Sequence, residues 1–405
     1  MEFRPIFLSI KHNKAIALLV IIQVAITLTV LSGSLLMTTS TLKEWNLPSG
    51  IPQNDIISAV PQFYDPDIDV RQTLVDDLQR IKATPGVINA TPITQRPFDA
   101  QGTQKVYLQA TEEAQEYDTN IFTGDANFHD VLGLTLIEGR FFREDDIIVG
   151  NREQLSANPS IVMVSEDMAK VLFPEGDALG QTIWLTKGGS PAEIIGIYSN
   201  FMNGERLNAI GKSYHTVLQP LVTWQTRDDP NYLVRVEPGL ATGLLETIRN
   251  QLYKTKGRYV NQVERLTRTQ KRMYDGRGSQ AILLLVISFV LLLITAFGMA
   301  GLVSFLVTQR QKQIGTRRAL GATKWDVVRY FMLENGILSG LGIMIGLALS
   351  LLFTFVLTEE SGVNILDMSY IFATAFFILL INQLAVFIPA KRAASVAPAI
   401  VTRAA

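Results

Sequence analysis

Few residues in this sequence have the type and spacing that catalysis requires. Residues 211–213 read Gly-Lys-Ser, the ending of a loop that cradles phosphate groups, but Arg206 stands where the first glycine of such a loop is needed. The three histidines have no metal-ligand spacing, and the chain has no cysteine for a thiolate site or a disulfide. The acidic pairs Asp76-Asp77, Glu112-Glu113 and Asp145-Asp146 are predicted to be solvated surface. The sequence therefore predicts no catalytic residue, no bound metal and no cofactor held by this chain.

The densest charged segment is a basic stretch at 308–329, which lies between two long apolar runs. It carries six basic side chains and one acid: Arg310, Lys312, Arg317, Arg318, Lys324 and Arg329 against Asp326. Placing one such charge in the middle of a bilayer costs about 2.5–3.5 kcal/mol, and six together about 15–20 kcal/mol, so the stretch is predicted to stay in water. By the positive-inside rule that water is the cytoplasm.

The same stretch has its own helix signals. Residues 309–320 contain no proline and predict a helix, and Gly321 suits the position just past its C-terminus. Thr323, followed by Asp326, predicts the N-cap and first turn of a second helix that continues into the membrane. A helix–glycine–helix elbow of this kind would be a rigid lever. An ordinary basic loop that only fixes topology is the alternative.

Four apolar runs are long enough to cross a bilayer as helices. They occupy 15–37, 279–307, 330–357 and 368–389. The first is longer than the apolar part of a signal peptide and has no clear cleavage site, so we predict an uncleaved anchor. The apolar and basic residues at 1–14 predict a short interfacial helix before it.

The short connecting segments set the predicted orientation. Segment 358–367 carries acids but no Lys or Arg, and is predicted to lie outside, whereas the basic 308–329 and the tail at 390–405 lie inside. Both termini are therefore predicted to be cytoplasmic. Segment 38–278 holds 24 basic and 31 acidic residues, and the rest of the chain holds 12 and 6. This segregation favours membrane topology over nucleic-acid binding.

Segment 38–278 has the composition of a globular domain and is long enough to bury its own apolar core. Strands are predicted at 87–93, 106–110, 161–164, 182–185, 192–198 and 232–236. Helices are predicted at 69–83, 165–173 and 239–254. Strands that alternate with helices predict a large α+β extracytoplasmic domain, inserted between the first and second of four transmembrane α-helices.

Small and polar residues inside the spans predict helix contacts. Gly336 and Gly340, and likewise Gly342 and Gly346, are four residues apart and permit close helix packing, within one subunit or between two. Glu334, Asn335, Asn382 and Gln383 are predicted to face other helices. Glu334 is placed where it would reach water or pair with Arg329 or Arg310.

Several segments together resemble the MacB/FtsX-like permeases, which are membrane subunits of ABC-type transporters. The run at 313–322 is similar to the E-I-G-x-x-R-A-L-G-A loop of that family, with Gln313 in place of the usual Glu. The tail at 389–399 is similar to its closing P-A-x-R-A-A-x-x-x-P-A pattern. Segments 136–142, 162–174 and 179–182 look like its periplasmic core domain.

The resemblance implies a fold and a set of partners. The outer domain would combine a porter-like βαβ lobe with a second mixed lobe, and the permease would dimerise with a copy of itself or with a homologous permease. Helix 309–320 would be the coupling helix that docks on an ABC ATPase. The implied ATPase-coupling residues are Arg310, Gln313, Ile314, Gly315, Arg317, Arg318, Ala319, Leu320, Gly321 and Ala322. Because only 14 residues precede the first span, the ATPase that binds ATP and Mg²⁺ is expected to be a separate chain.

The functional hypothesis is mechanotransmission in a bacterial inner membrane, in which a partner ATPase drives movement of periplasmic domains. A periplasmic adaptor, an outer-membrane channel and membrane lipids are further expected partners. The alternatives are a regulator of a cell-wall hydrolase, a lipoprotein-extraction permease of the same family and, from another class, a membrane-bound ligand sensor. The sequence does not identify the substrate.

Overall fold

The computed structural model describes residues 14–65, 67–99, 102–151, 159–204, 212–224, 231–361 and 368–395. The chain forms two compact units. We call Trp45–Gly276 the α/β unit, and Met1–Glu44 together with Arg277–Ala405 the helical unit. Most of the predicted interfacial helix at 1–14, and parts of the predicted outer loop at 358–367 and tail at 390–405, fall outside the described residues.

Helices and strands are numbered here in chain order over the described residues. The helices are α1 (Lys14–Trp45), α2 (Val70–Lys82), α3 (Phe128–Leu132), α4 (Glu166–Leu172), α5 (Ala241–Tyr253), α6 (Leu266–Gln309), α7 (Gln311–Ala319), α8 (Lys324–Ser361) and α9 (Met368–Ala394). The strands are β1 (Ile56–Phe63), β2 (Val87–Ile93), β3 (Gln104–Val106), β4 (Tyr117–Thr123), β5 (Leu136–Gly139), β6 (Ile148–Asn151), β7 (Ile161–Ser165), β8 (Thr182–Trp184), β9 (Pro191–Tyr198), β10 (Thr216–Gln219), β11 (Leu221–Trp224), β12 (Asn231–Val236) and β13 (Arg258–Arg265).

Four helices of the described chain are long and apolar enough to cross a membrane. The candidate spans are Lys14–Thr39, Leu266–Gln309, Lys324–Phe355 and Ser369–Ala394. Helix α6 begins well before the predicted start at 279. Its first turns place Leu266 and Tyr274 in the core of the α/β unit, which gives this part of the helix a buried face of its own.

The first lobe of the α/β unit is a four-stranded antiparallel sheet in the order β13-β1-β12-β2. Helix α2 connects β1 to β2, and α5 connects β12 to β13. Strand β12 lies between β1 and β2, and β1 lies between β12 and β13. Each helix therefore connects two strands that have a third strand between them, which is the split βαβ arrangement. Both helices contribute to one apolar core with the sheet, through Ile81 of α2 and Ile248 of α5.

The second lobe is inserted between β2 and β12. Its larger sheet has the order β3-β4-β10-β7-β9-β5, with β8 paired to β9, and it mixes parallel and antiparallel neighbours. Strands β6 and β11 form a separate parallel pair. Four membrane helices with a mixed α/β domain between the first and the second confirm the predicted fold class.

Two local predictions need correction. The strand predicted at 106–110 lies at Gln104–Val106 instead, because its pairing with β4 ends at Val106 and Tyr107 makes only an isolated bridge to Trp184 of β8. Asp77, predicted as solvated surface, is fully buried. It accepts hydrogen bonds from Arg258 (Nη2–Oδ1 2.8 Å) and from the Tyr232 hydroxyl (2.8 Å), so its charge is paired inside the first lobe.

Candidate functional site

The basic stretch folds into two helices joined by a tight turn, and we call residues 310–329 the elbow. Helix α7 ends at Ala319, and Gly321, two residues beyond, has a φ of +102° that is favourable only for glycine. The amide of Gly321 donates to the Arg318 carbonyl (3.2 Å), and that of Ala322 donates to the Arg317 carbonyl (3.0 Å). This pair of bonds is the Schellman motif, which satisfies the last carbonyls of the helix.

The next helix begins with a reciprocal cap. The Thr323 amide donates to Asp326 Oδ2 (2.9 Å), and the Asp326 amide donates to Thr323 Oγ1 (3.2 Å). The two helix ends therefore satisfy their own backbone groups within a few residues. The result is a stiff joint, with α7 held at a fixed angle to the start of α8.

The inner face of the elbow is anchored by apolar packing. Ile314 and Gly315 of α7 are buried. Ile314 belongs to the same core as Val327 and Phe331 of α8, and Ala390 of α9 lies in that core too. One side of the nine-residue helix α7 therefore packs into the core of the helical unit.

Charged side chains add two further attachments between α7 and α8. Arg310 Nη1 lies 3.2 Å from Glu334 Oε2, and the two side chains are only 16% and 7% exposed. The Arg317 guanidinium carbon lies 5.3 Å from the centre of the Tyr330 ring, within the range of a cation–π contact. Of the two partners predicted for Glu334, the structure selects Arg310.

The opposite face of the elbow is open. Gln313, Arg317 and Ala319 are exposed. Leu320 is 84% exposed and Trp325 is 61% exposed, one on each side of the turn. Basic and apolar side chains exposed on a stiff joint can bind a partner protein. In the described residues no group of three or more His, Cys, Asp or Glu is placed to hold a metal ion.

The four glycines of α8 have different surroundings. A Cβ at Gly342 would lie 2.9 Å from the Ile21 carbonyl oxygen, and a Cβ at Gly346 would lie 3.0 Å from that of Ala25, so both face α1 of the same chain. A Cβ at Gly336 would lie 3.0 Å from the amide nitrogen of the Gln383 side chain of α9. A Cβ at Gly340 would meet no described atom within 4 Å.

Hydroxyl pairs between spans were not predicted from the sequence. Thr27 bonds Thr295 (2.9 Å) and Ser34 bonds Ser288 (2.8 Å), both between α1 and α6. Ser32 bonds Ser350 of α8 (3.0 Å). The serines and threonines inside the apolar runs could have indicated these contacts, because a hydroxyl buried in hydrocarbon needs a hydrogen-bond partner.

Two of the polar residues predicted to face other helices join α8 to α9. Asn382 Nδ2 donates to Ser339 Oγ (3.4 Å), and Gln383 Nε2 donates to the Met332 carbonyl (3.3 Å). Lys212, from the Gly-Lys-Ser segment, pairs with Asp118 at 2.6 Å, while residues 205–211 lie outside the described part of the chain. The lysine is thus engaged with a carboxylate on the surface of the second lobe.

The described histidines lie in the α/β unit, where His215 is buried and His129 is partly buried. His215 is buried, and this desolvation lowers its pKa despite the nearby Asp167 and Asp118 carboxylates. Burial also lowers the pKa of His129, whose ring stacks on Phe141 with 3.8 Å between ring centres. Loss of hydration disfavours the imidazolium form at both positions.

Two family models match the chain. The MacB-like periplasmic core domain matches residues 16–249, and the FtsX-like permease C-terminal domain matches residues 285–398. The uncharacterised ABC transporter permease YknZ of Bacillus subtilis is 23% identical over 296 residues, which cover 72% of this chain and 71% of that one.

Longer relatives match as well. The macrolide export ATP-binding/permease protein MacB of Neisseria gonorrhoeae is 25% identical, over 69% of this chain and 41% of its own length. The chain thus spans about two fifths of that relative. The solved periplasmic region of MacB from Actinobacillus actinomycetemcomitans aligns with 17% identity and a TM-score of 0.34, covering 55% of this chain and 94% of that one. On the two family matches, the chain belongs to the MacB/FtsX-type ABC transporter permease family.

Proposed function

We propose that this chain is a permease subunit that couples ATP hydrolysis by a separate ABC ATPase to movement of extracytoplasmic domains. The observation that carries the proposal is the two-sided elbow. Its inner face is fixed to α8 and α9 through Ile314, while its outer face presents Leu320 to water. A partner that pushes on the outer face moves the helices with it.

The proposed mechanism needs no polar path through the membrane. Closure of two ATPase subunits on ATP and Mg²⁺ displaces α7, and α6 and α8 carry the displacement across the lipid to the α/β unit. In α1 and α6, buried hydroxyls such as Thr27 and Thr295 are bonded to each other instead of lining a channel. Work is then done on a substrate outside the membrane.

The proposal assigns partners by role. ATP and Mg²⁺ are bound by the ATPase, and a second permease, identical or homologous, provides the other half of the complex. A periplasmic adaptor and an outer-membrane channel would complete an export assembly, and lipids surround the spans. We infer that the basic elbow lies on the cytoplasmic side of a bacterial inner membrane, because six basic side chains cluster there.

Binding of the ATPase tests the proposal directly. The full chain in lipid nanodiscs is titrated with the ABC ATPase subunits that its genome encodes, beginning with any encoded beside its gene. Leu320→Asp is expected to weaken binding at least about tenfold, because it places a charge in the centre of an apolar contact. Leu240→Asp makes the same change at an exposed leucine of the α/β unit and is expected to leave binding unchanged. Wild-type affinity in Leu320→Asp, or no binding by the unaltered chain, would reject the proposal.

The orientation has its own test, which the absence of cysteine makes simple. Lys312→Cys in the elbow and Tyr259→Cys in the α/β unit each give a chain with a single, exposed thiol. A membrane-impermeant maleimide should label Tyr259→Cys in spheroplasts, and Lys312→Cys only after lysis. Labelling of Lys312→Cys before lysis would place the elbow on the wrong side for an ATPase.

A further inference from the structure

We propose that Arg310 and Glu334 are a positioning pair, which transfers a push on α7 to α8. This inference rests on the proposed function, since it concerns what happens after an ATPase has bound. It assigns different roles to two parts of the elbow. The exposed residues bind the partner, and the buried ion pair makes the bound elbow move as one piece with the span.

Arg310 occupies the break between two helices. Helix α6 ends at Gln309 and α7 begins at Gln311, and Arg310 between them has φ −100° and ψ 11°. The Arg310 amide still donates to the Leu306 carbonyl (3.0 Å), and its carbonyl accepts from the Ile314 amide (2.9 Å), so the break lies in its non-helical dihedrals. An irregularity of this kind is where a push on α7 would be absorbed. The side chain of this residue is the one that is tied to α8.

Glu334 receives that side chain from a position well inside α8. It lies about three turns beyond the helix start at Lys324, 24 residues from Arg310 along the chain. Phe331 and Leu338, one turn before and one turn after it, belong to the apolar core of the helical unit. Little water can reach a carboxylate in these surroundings. Loss of the arginine partner would therefore leave a buried charge that is poorly compensated, which is costly.

The other attachments leave one degree of freedom for the pair to remove. Ile314 fixes the middle of α7, and Arg317, with its contact to Tyr330, fixes the end nearest the turn. Neither contact holds the first turn of α7, so the beginning of the helix could still move relative to α8. The Arg310–Glu334 bond supplies that contact (3.2 Å).

Glu334→Gln tests the inference, because it keeps the shape of the side chain and removes the charge. We expect the affinity of the nanodisc-embedded chain for the ABC ATPase identified by the binding titration to stay within about threefold of wild type. The permease-dependent increase in kcat of that ATPase should fall at least about tenfold. Glu246→Gln, in the exposed pair with Arg249, removes a carboxylate elsewhere and should change neither quantity.

The exchanged pair separates positioning from folding. Arg310→Glu combined with Glu334→Arg restores opposite charges, and is expected to recover at least about half of the kcat increase that either single variant loses. Thermal unfolding in detergent identifies any variant that fails to fold. In that case Arg310→Lys is used instead of the misfolded variant. It keeps the positive charge and should retain part of the kcat increase.

The possible outcomes are distinct. If the unaltered chain binds no ATPase, the proposed function fails before the pair is tested. If Glu334→Gln couples as well as wild type, the pair has no positioning role. If it loses binding and coupling in parallel, or if the exchanged pair recovers neither, the contact only supports the fold, and the inference is overturned.

Discussion

Single residues in the α/β unit show how long-range pairing makes buried charge tolerable. The Asp77 carboxylate receives Arg258 and the Tyr232 hydroxyl, and Arg80 Nη2 adds a third donor at 2.5 Å. Burial, followed by the Asp77 charge, raises the pKa of Tyr232 well above its ordinary value, so this hydroxyl stays a donor. A carboxylate with several donors resists desolvation, and here it joins α2 to β12 and β13.

His215 should make the α/β unit less stable in mild acid. Its folded-state pKa is lowered, mainly by burial, whereas an unfolded imidazole titrates near about 6.5. As the pH falls through about 6.5, the unfolded state takes up the proton first, so stability is lost. The loss is about 1.4 kcal/mol for each tenfold difference in proton affinity between the two states.

The measurement is urea unfolding of the detergent-solubilised chain between about pH 7.5 and 5.5, above the range in which most carboxylates titrate. His215→Gln should show a smaller loss than wild type. Part of the loss should persist, because burial lowers the pKa of His129 in the same direction. An identical pH dependence in wild type and His215→Gln would contradict the prediction.

The residue scale also shows what the sequence can and cannot predict. Gly321 and the Thr323–Asp326 cap were predicted because their signals lie within three residues of the bonds they make. Asp77 was misjudged because Arg258 lies 181 residues away, and nothing in an acidic pair indicates a distant partner. The ion pair of Glu334 could be predicted in part. A lone acid beside a basic stretch indicated an ion pair, and the fold then selected Arg310.

At the scale of elements, three of the strands that were not predicted are either interrupted by a proline or very short. β1 contains Pro61, at the position where its register with β13 shifts, and such an interruption weakens a strand pattern. β10 and β11 are four residues each and are separated by Pro220. Both strands are buried by neighbours that are distant in the sequence, so the local pattern of apolar residues does not indicate that they are strands. Helix α2 was predicted because its apolar residues, among them Leu74, Leu78 and Ile81, recur at helical spacing within the helix itself. The caps that the structure shows, at Asp69 of α2 and Ser165 of α4, are local as well.

The packing of α8 on α1 gives a prediction with a built-in control. In Gly342→Ala the new methyl group would meet the Ile21 carbonyl oxygen at 2.9 Å and Val24 Cβ at 2.7 Å, which forces the helices apart. We expect a loss of about 1–3 kcal/mol from overpacking, reduced by up to about 1 kcal/mol because alanine favours the helix. Gly340→Ala meets no described atom within 4 Å and should be neutral or stabilising.

Thermal unfolding in detergent, followed by circular dichroism, measures both variants. Both variants replace glycine by alanine in the same helix. The gain in stability from the higher helix propensity of alanine therefore cancels when their unfolding midpoints are compared. Equal midpoints for Gly342→Ala and Gly340→Ala would contradict the assignment of Gly342 to an interface within one chain.

The whole molecule has the second lobe inserted between the halves of the first. Strand β1 pairs with β12 and β13, which follow it only after the entire second lobe, while β2 closes the other edge of the same sheet. Alternating strands and helices indicated an α+β domain. They did not indicate this insertion, because the strand order depends on pairings that span most of the domain.

Each unit has its own apolar core, so the whole chain should unfold in two steps. Urea is expected to unfold the α/β unit first, while detergent and internal backbone bonding preserve the membrane helices. Arg258→Met leaves the Asp77 carboxylate buried without its main partner and should lower the stability of the first step by about 3–5 kcal/mol. Gly342→Ala should change only the second step. Urea and then strong detergent, monitored by circular dichroism, resolve the two transitions. A single transition that both variants shift would show that the two units unfold together.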